Sequence, residues 1–223
     1  MSDLNIISWN VCGLNTPVKH TRCLEFLHRK AIDIALVQES HLKKEDVSRF
    51  QNKNHKLLAY LCALNKSKGV LILAKRSLHL SIDLLGGDDI GRFVYAAVTL
   101  NHSKLMLVSI YAPNEPDQLF LNNICEKLLQ FSDLDVIIGG DFNASINPQL
   151  DRSSSSNPSI AMSTSSLNRF ITELNVIDPW DTFYSPRHKS FSRIDYILIS
   201  APLLQYIANI VILPDFRSLS HYL

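Results

Sequence analysis

Again and again in this chain an apolar run stops on a side chain able to bind metal or move a proton. Ile6-Ile7-Ser8-Trp9 meets Asn10, and Ile34-Ala35-Leu36-Val37 meets Gln38-Glu39. Leu105–Ile110 meets Tyr111-Ala112-Pro113-Asn114, Asp135-Val136-Ile137-Ile138 leads to Asp141 and Asn143, Ile194 adjoins Asp195, and Ile210–Leu213 is followed by Ser220-His221. One strand ending in an acid means little, because every strand must end. A series ending in Asn, Glu, Asp/Asn, Asp and His implies a layered sheet protein whose strand ends share one rim and one hydrolytic site.

The densest of these stretches is Gly139-Gly140-Asp141-Phe142-Asn143. Two glycines allow a tight backbone turn without a Cβ clash. Alternation along a strand would then put Asp141 and Asn143 on one face, aimed at a common target. A carboxylate beside an amide suits water, a divalent cation or a phosphate. Gly, Asp and Asn also favour plain turns, so this stretch alone decides nothing.

The hydrophobic runs predict strands over Asn5–Val11, Asp33–Gln38, His55–Leu61, Gly69–Ala74, Phe93–Leu100, Lys104–Tyr111, Asp135–Gly139, Arg193–Ile199 and Asn209–Leu213. Helices are expected at His20–Lys30, Lys44–Gln51, Gln118–Phe131 and Ser166–Leu174, with Cys23, Phe26, Leu27 and Lys30 forming one stripe of the first. Nine strands with so few helices between them fit two sheets packed face to face rather than a doubly wound sheet. No linker divides the chain, so residues 1–223 are expected to form one domain. The Ser-rich stretch Asp151–Pro158 is expected to be a polar, mobile loop.

A hydrophobic content of 46% with 19% charged residues is ordinary for a globular domain. A net charge of +1 gives no global basic field, so nucleic-acid binding has to rest on local cations. The four cysteines lack CxxC spacing; they argue against zinc and read as small buried hydrophobes in a reducing compartment. With no run near the roughly 18 apolar residues of a membrane span, and no leader, an intracellular location, nuclear or cytoplasmic, is expected.

Phosphodiester cleavage needs an activated water, relief of phosphoryl charge and help for the leaving oxygen. Glu39 and Asn10 suit a hard cation such as Mg²⁺. Asp141 can orient or deprotonate water, Asn143 can hydrogen-bond phosphate, and Tyr111 can set a phenol near developing charge. His221 suits the phosphate if a carboxylate fixes its tautomer, and Asp195 is the candidate. Each has a plainer reading: Asn10 as a turn, Tyr111 as packing, His221 as a solvated tail. The remaining histidines show no ligand spacing and are expected on the surface. Arg187-His188-Lys189 is a small basic loop cluster, usually only solvated but suited to phosphate.

Taken in order, Ser8–Asn15, Val37–His41, Ile110–Asn114, Gly139–Asn143 and Ser192–Tyr196 resemble the motifs of the endonuclease/exonuclease/phosphatase superfamily. More narrowly, they are similar to the apurinic-type endonuclease domain of LINE-type non-LTR retrotransposons. The resemblance implies a four-layer α/β sandwich, two packed mixed β-sheets flanked by helices. It implies Mg²⁺-dependent nicking of double-stranded DNA, with Mn²⁺ as the alternative ion, at T-rich/A-rich junctions. The 3′-hydroxyl left behind would prime reverse transcription. It assigns Asn10 and Glu39 to the metal, Tyr111, Asp141 and Asn143 to catalysis, and Asp195 to pairing with His221. Arg152, Thr182, Ser192, Arg193 and Asn114 match positions near DNA. In the family the domain is fused to a reverse transcriptase, which these residues do not include.

Two departures stand out. The family's terminal Ser-Asp-His reads Ser218-Leu219-Ser220-His221 here, so the aspartate is deleted or replaced by Ser220. Since that aspartate assists metal and histidine, its loss implies impaired activity. The path from Asp178-Pro179-Trp180 to Asp181-Thr182-Phe183 is shorter than usual, and the last strand is expected to be truncated at Leu223. The alternatives are a cellular abasic-site repair endonuclease and a catalytically dead DNA-binding or interaction module.

Overall fold

A computed structural model describes residues 4–63, 67–115, 117–147, 158–182 and 194–211. Its first sheet holds β1 (Ile6–Asn10), β2 (Ile34–Gln38), β3 (His55–Cys62) and β4 (Gly69–Lys75) in the order β1-β2-β4-β3. The second holds β5 (Leu80–Gly87), β6 (Phe93–Leu100), β7 (Ser103–Tyr111), β8 (Asp135–Asp141), β9 (Val176–Ile177) and β10 (Asp195–Ser200) in the order β5-β6-β7-β8-β10-β9. Both are mixed: β1 runs parallel to β2 and β7 to β8, while the other pairings are antiparallel.

Strand alternation sorts the side chains into layers. Ile34, Leu36 and Ile72 of the first sheet meet Val98, Leu105, Leu107 and Ile137 of the second between the sheets. The opposite face of the first sheet, with Ile7, Trp9, Val37 and Leu71, packs on Cys23, Phe26 and Leu27 of α1 (Pro17–Arg29). The outer face of the second, with Met106, Val108 and Ile138, is covered by α3 (Gln118–Leu129) and α4 (Pro158–Glu173). Four layers result, as expected from the sequence. No helix among the described residues is long and apolar enough to cross a membrane.

Several boundaries differ from expectation for identifiable reasons. Helix α1 starts three residues earlier than the periodicity suggests, because Thr16 caps it by accepting from the Lys19 amide at 3.3 Å and a proline follows. Helix α2 is only Lys44–Val47. Helix α4 begins at Pro158 despite a Ser-rich first half of weak helical propensity. Strand β5 was hidden by a bulge between Ile82 and Leu84, which breaks the alternation that would announce it. Two-residue β9 is defined only by pairing with β10. Residues Asn209–Val211 are not strand, a short α5 spans Pro179–Thr182, and a 3₁₀ helix occupies Ala201–Tyr206.

The histidine and cysteine expectations hold only in part. His55 is buried, with Nε2 2.9 Å from the Ile32 carbonyl oxygen. Cys23 and Cys125 are buried, but Cys12 is exposed.

Candidate active site

At one end of the inter-sheet layer the aliphatic packing gives way to polar side chains. Ser8, Asn10 and Gln38 lie on the inner face of the first sheet, in the same alternation as Ile6, Ile34 and Leu36. Ser109, Tyr111, Gly139 and Asp141 lie on the inner face of the second, and the register pairs Tyr111 with Asp141 and Asp141 with Asp195. Parallel β1/β2 and β7/β8 reach this rim by their C-terminal ends. Antiparallel β10 reaches it by its first residue, which is why Asp195 precedes its apolar run.

The glycines before Asp141 do not turn the chain, because β8 runs through both. Their smallness does the work instead. A Cβ on Gly139 would sit 2.8 Å from the Leu36 side chain and 2.9 Å from Ser8 Cβ; one on Gly140 would lie 2.9 Å from the Ile110 oxygen. Gly139 therefore lets the sheets approach closely beneath the site. Asn143 likewise does not share a strand face with Asp141. It lies past the strand end at φ +48°, and its backbone N–H donates to Asp141 Oδ1 at 3.0 Å.

One amide joins the two sheets at the rim. Asn10 Nδ2 donates to Glu39 Oε1 at 2.9 Å and to Asp141 Oδ2 at 2.8 Å. Its Oδ1 accepts from the Cys12 backbone N–H at 3.0 Å. Glu39 sits at φ +52°, directly after β2, so its carboxylate leaves the strand direction to reach the shared notch. Its other oxygen, Oε2, lies 3.6 Å from His41 Nε2. Burial, with help from the nearby Glu39 carboxylate, pushes the Tyr111 phenol up to about 12, so it is protonated at neutral pH. Burial also raises the pKa of Asp141, against the lowering pull of its bonds from Asn10 and Asn143. Although Cys12 is exposed, its thiol is raised too, first by partial desolvation from the surrounding rim and then by the charges of Glu39, Asp195 and Asp141. The carboxylates of Glu39, Asp195 and Asp141 thus all bear on Cys12 at this rim.

Beneath the rim a buried layer of hydrogen bonds ties the sheets together. Gln38 Nε2 donates to Ser109 Oγ at 3.1 Å and to the Gly139 oxygen at 3.3 Å, and Ser109 Oγ donates to the Val37 oxygen at 3.0 Å. Sequence reasoning noted Gln38 only as a neighbour of Glu39. Its place on an inner-face position of a fully buried strand was the missed signal.

Asn143 Nδ2 donates to the Ala112 oxygen at 2.9 Å and to Asn114 Oδ1 at 3.0 Å, which brings Asn114 into the cluster. Of the other positions singled out from sequence, Arg152, Ser192, Arg193 and His221 lie outside the described residues, as do Arg187, His188 and Lys189 and residues 151–157 of the Ser-rich stretch. Thr182 ends α5.

The donor set suits a hard divalent cation that keeps most of its water. Mg²⁺ takes few protein oxygens, commonly one or two carboxylates. Among the described residues no group of three or more His, Cys, Asp or Glu side chains is placed to hold a metal ion by itself. Glu39 offers carboxylate oxygens at the rim, with Asp141 beside it.

The profile of the endonuclease/exonuclease/phosphatase family matches residues 7–217. Among solved structures, an AP endonuclease from Archaeoglobus fulgidus superposes with a TM-score of 0.68 at 18% identity, covering 91% of this chain and 88% of that one. The endonuclease domain of TRAS1, a telomere-specific non-LTR retrotransposon, gives 0.62 at 15% identity, covering 91% and 87%. A mannosyl-6-phosphatase from Bacteroides thetaiotaomicron gives 0.61 at 14%, covering 89% and 86%. Likeness this distant shows the fold, and one fold serves several substrates. With two mixed sheets, their covering helices and a carboxylate rim between them, the chain belongs to the endonuclease/exonuclease/phosphatase family.

Proposed function

We propose that this protein is a Mg²⁺-dependent endonuclease that nicks double-stranded DNA, leaving a 3′-hydroxyl of the kind that primes reverse transcription at T-rich/A-rich targets. The observation that carries the reading is Asn10 Nδ2 bridging Glu39 and Asp141 across the two sheets. Such an arrangement keeps two carboxylates at fixed spacing without neutralising either.

Glu39 would hold the ion, with Asn10 at its side. A bound Mg²⁺ would relieve phosphoryl charge and favour ionisation of water. Asp141, its pKa raised by burial, is suited to take a proton from water. The water oxygen adds to phosphorus and the P–O3′ bond breaks, giving a 5′-phosphate and, once O3′ gains a proton, a 3′-hydroxyl. Tyr111, protonated at neutral pH, is suited to donate a hydrogen bond to a phosphoryl oxygen. Both hydrogens of the Asn143 amide are engaged, so a phosphate contact there requires exchange of exposed Asn114. His221 is assigned to the phosphate with Asp195 as its orienting carboxylate, and Arg152, Thr182, Ser192, Arg193 and Asn114 to DNA contact; these assignments rest on the sequence motifs.

The test is nicking of supercoiled plasmid with Mg²⁺, alongside extension of the nick by a DNA polymerase to detect the 3′-hydroxyl. Chelation should abolish nicking, and His221→Ala should lower it about 10²- to 10⁴-fold. Inserting Asp between Ser220 and His221 should raise it. A strong preference for abasic over intact T-rich duplex would favour a repair enzyme instead. DNA bound but never cut would indicate a catalytically dead module.

A further inference from the structure

Two cations stand together beside the site and play no part in the chemistry above. Arg92 lies in the turn between β5 and β6, where Asp88 Oδ1 accepts from the backbone N–H groups of Ile90, Gly91 and Arg92 at 3.3, 2.9 and 3.1 Å. Gly91, at φ +77°, carries this turn against the end of β3: a Cβ there would meet the Ala63 nitrogen at 2.6 Å. The Arg92 guanidinium stacks on Tyr111, 4.9 Å from the ring centroid, and Nη1 donates to the Tyr111 oxygen at 3.1 Å. Lys68 immediately precedes Gly69, whose oxygen accepts from the Ser40 backbone N–H at 3.0 Å, next to Glu39. Lys68 and Arg92 thus flank the same rim from β4 and β6.

Both side chains are half-buried. The ammonium of Lys68 is destabilised by burial and by the nearby Arg92 charge, with Asp88 opposing. Yet neither cation forms an ion pair with a described carboxylate: the pairs found are His41–Glu39, Arg49–Asp46, Lys75–Asp33 and Arg169–Glu173. Asp88 spends its oxygens on backbone N–H groups. Two like charges this near each other repel, only partly offset by Asp88, and an anion bound by both would relieve that repulsion. Of the five guanidinium donors only Nη1 is engaged among the described residues, which leaves most of the fork for that anion. Arg92 stacks on the ring of Tyr111, whose phenol feels the Glu39 carboxylate, so the anion would sit beside the reacting phosphate rather than on it.

We propose that Lys68 and Arg92 form a second phosphate subsite, gripping a backbone phosphate of DNA next to the one that is cut. This rests on the reading that DNA is the substrate, and repeated phosphates along a strand are what supply an anion at that offset. The subsite positions the strand and touches no reacting atom.

The test is equilibrium binding of a fluorescent duplex in EDTA, followed by anisotropy over a range of NaCl concentrations, with folding of each variant checked by circular dichroism. Each phosphate contact contributes about −0.9 to the slope of log K against log salt. Lys68→Gln and Arg92→Gln should each flatten the slope and weaken binding at low salt, and the double variant should lose about 0.9 of slope in all. Lys68→Arg, which keeps the charge, should restore most of both. Slopes matching wild type in either Gln variant would overturn the proposal. So would displacement of the duplex by millimolar inorganic phosphate at constant ionic strength, which marks a small-anion pocket instead. Because the measurement needs no turnover, a protein that binds with these slopes but fails to nick would sink the nuclease reading and leave the subsite standing.

Discussion

The space between the two sheets has two contrasting ends. Far from the rim it is filled by Ile34, Leu36, Ile72, Leu105, Leu107 and Ile137, which exclude water and need no partners. Near the rim Gln38 and Ser109, and the Asn10–Glu39–Asp141 cluster, form hydrogen bonds that cross from sheet to sheet, while Gln38 Oε1 has no hydrogen-bond partner among the described residues. The aliphatic end stabilises through area removed from water, which is tolerant of small shifts. The polar end stabilises only while its geometry holds, because a buried donor or acceptor left alone costs about 1–3 kcal/mol. Position therefore matters more at one end and volume more at the other, and the candidate site lies at the end where position matters.

The largest expected effect tests the polar end. Asp141→Ala should lower plasmid nicking by about 10²- to 10⁴-fold with the fold intact by circular dichroism; nicking at the wild-type rate would remove Asp141 from the chemistry. Next comes the aliphatic end. Leu107→Ala should cost about 2–5 kcal/mol in urea unfolding, while the protein that stays folded nicks at close to the normal rate. A large loss of rate per folded molecule would erase the distinction between the ends. Gln38→Leu is intermediate, with an expected loss of about 1–3 kcal/mol as Ser109 Oγ and the Gly139 oxygen lose their donor. Here turnover should fall by more than Leu107→Ala causes; an unaffected rate would show that the cross-sheet bonds do not align the site.

The smallest effect concerns protonation. Burial holds the Asp141 pKa above its unfolded value, so the folded state binds this proton more tightly. The stability cost of ionising it is absent below the ordinary carboxylate pKa and grows as pH rises through the folded value. Without divalent ions, wild type should therefore gain stability relative to Asp141→Asn as pH falls from 7 through the carboxylate range. A difference in melting temperature that does not move with pH would contradict the sign. Added Mg²⁺ should raise the melting temperature of wild type and do less for the variant.

The sequence made the strand ends legible because burial on both faces leaves continuous apolar runs whose last residue stands out, as with Glu39 after Ile34–Val37. It could not show which neighbours those ends would find. That Asn10 faces both Glu39 and Asp141 depends on a pairing across 131 positions. Nor could it reveal β5, where the bulge hides the period, or the start of α4 at Pro158, whose Ser-rich first half has weak helical propensity. Gln38 was overlooked because its position on a fully buried strand was not weighed beside the more obvious Glu39.

Gly139 acts as a calliper for the whole site. Half of the carboxylate notch belongs to each sheet, and the gap between the halves is set by a missing methyl group two residues below Asp141. Any side chain placed there would wedge Leu36 and Ser8 away, and the strain would emerge at the paired bonds from Asn10. On the proposed function, the fit of a DNA phosphate would thus be gauged by a residue that never touches it.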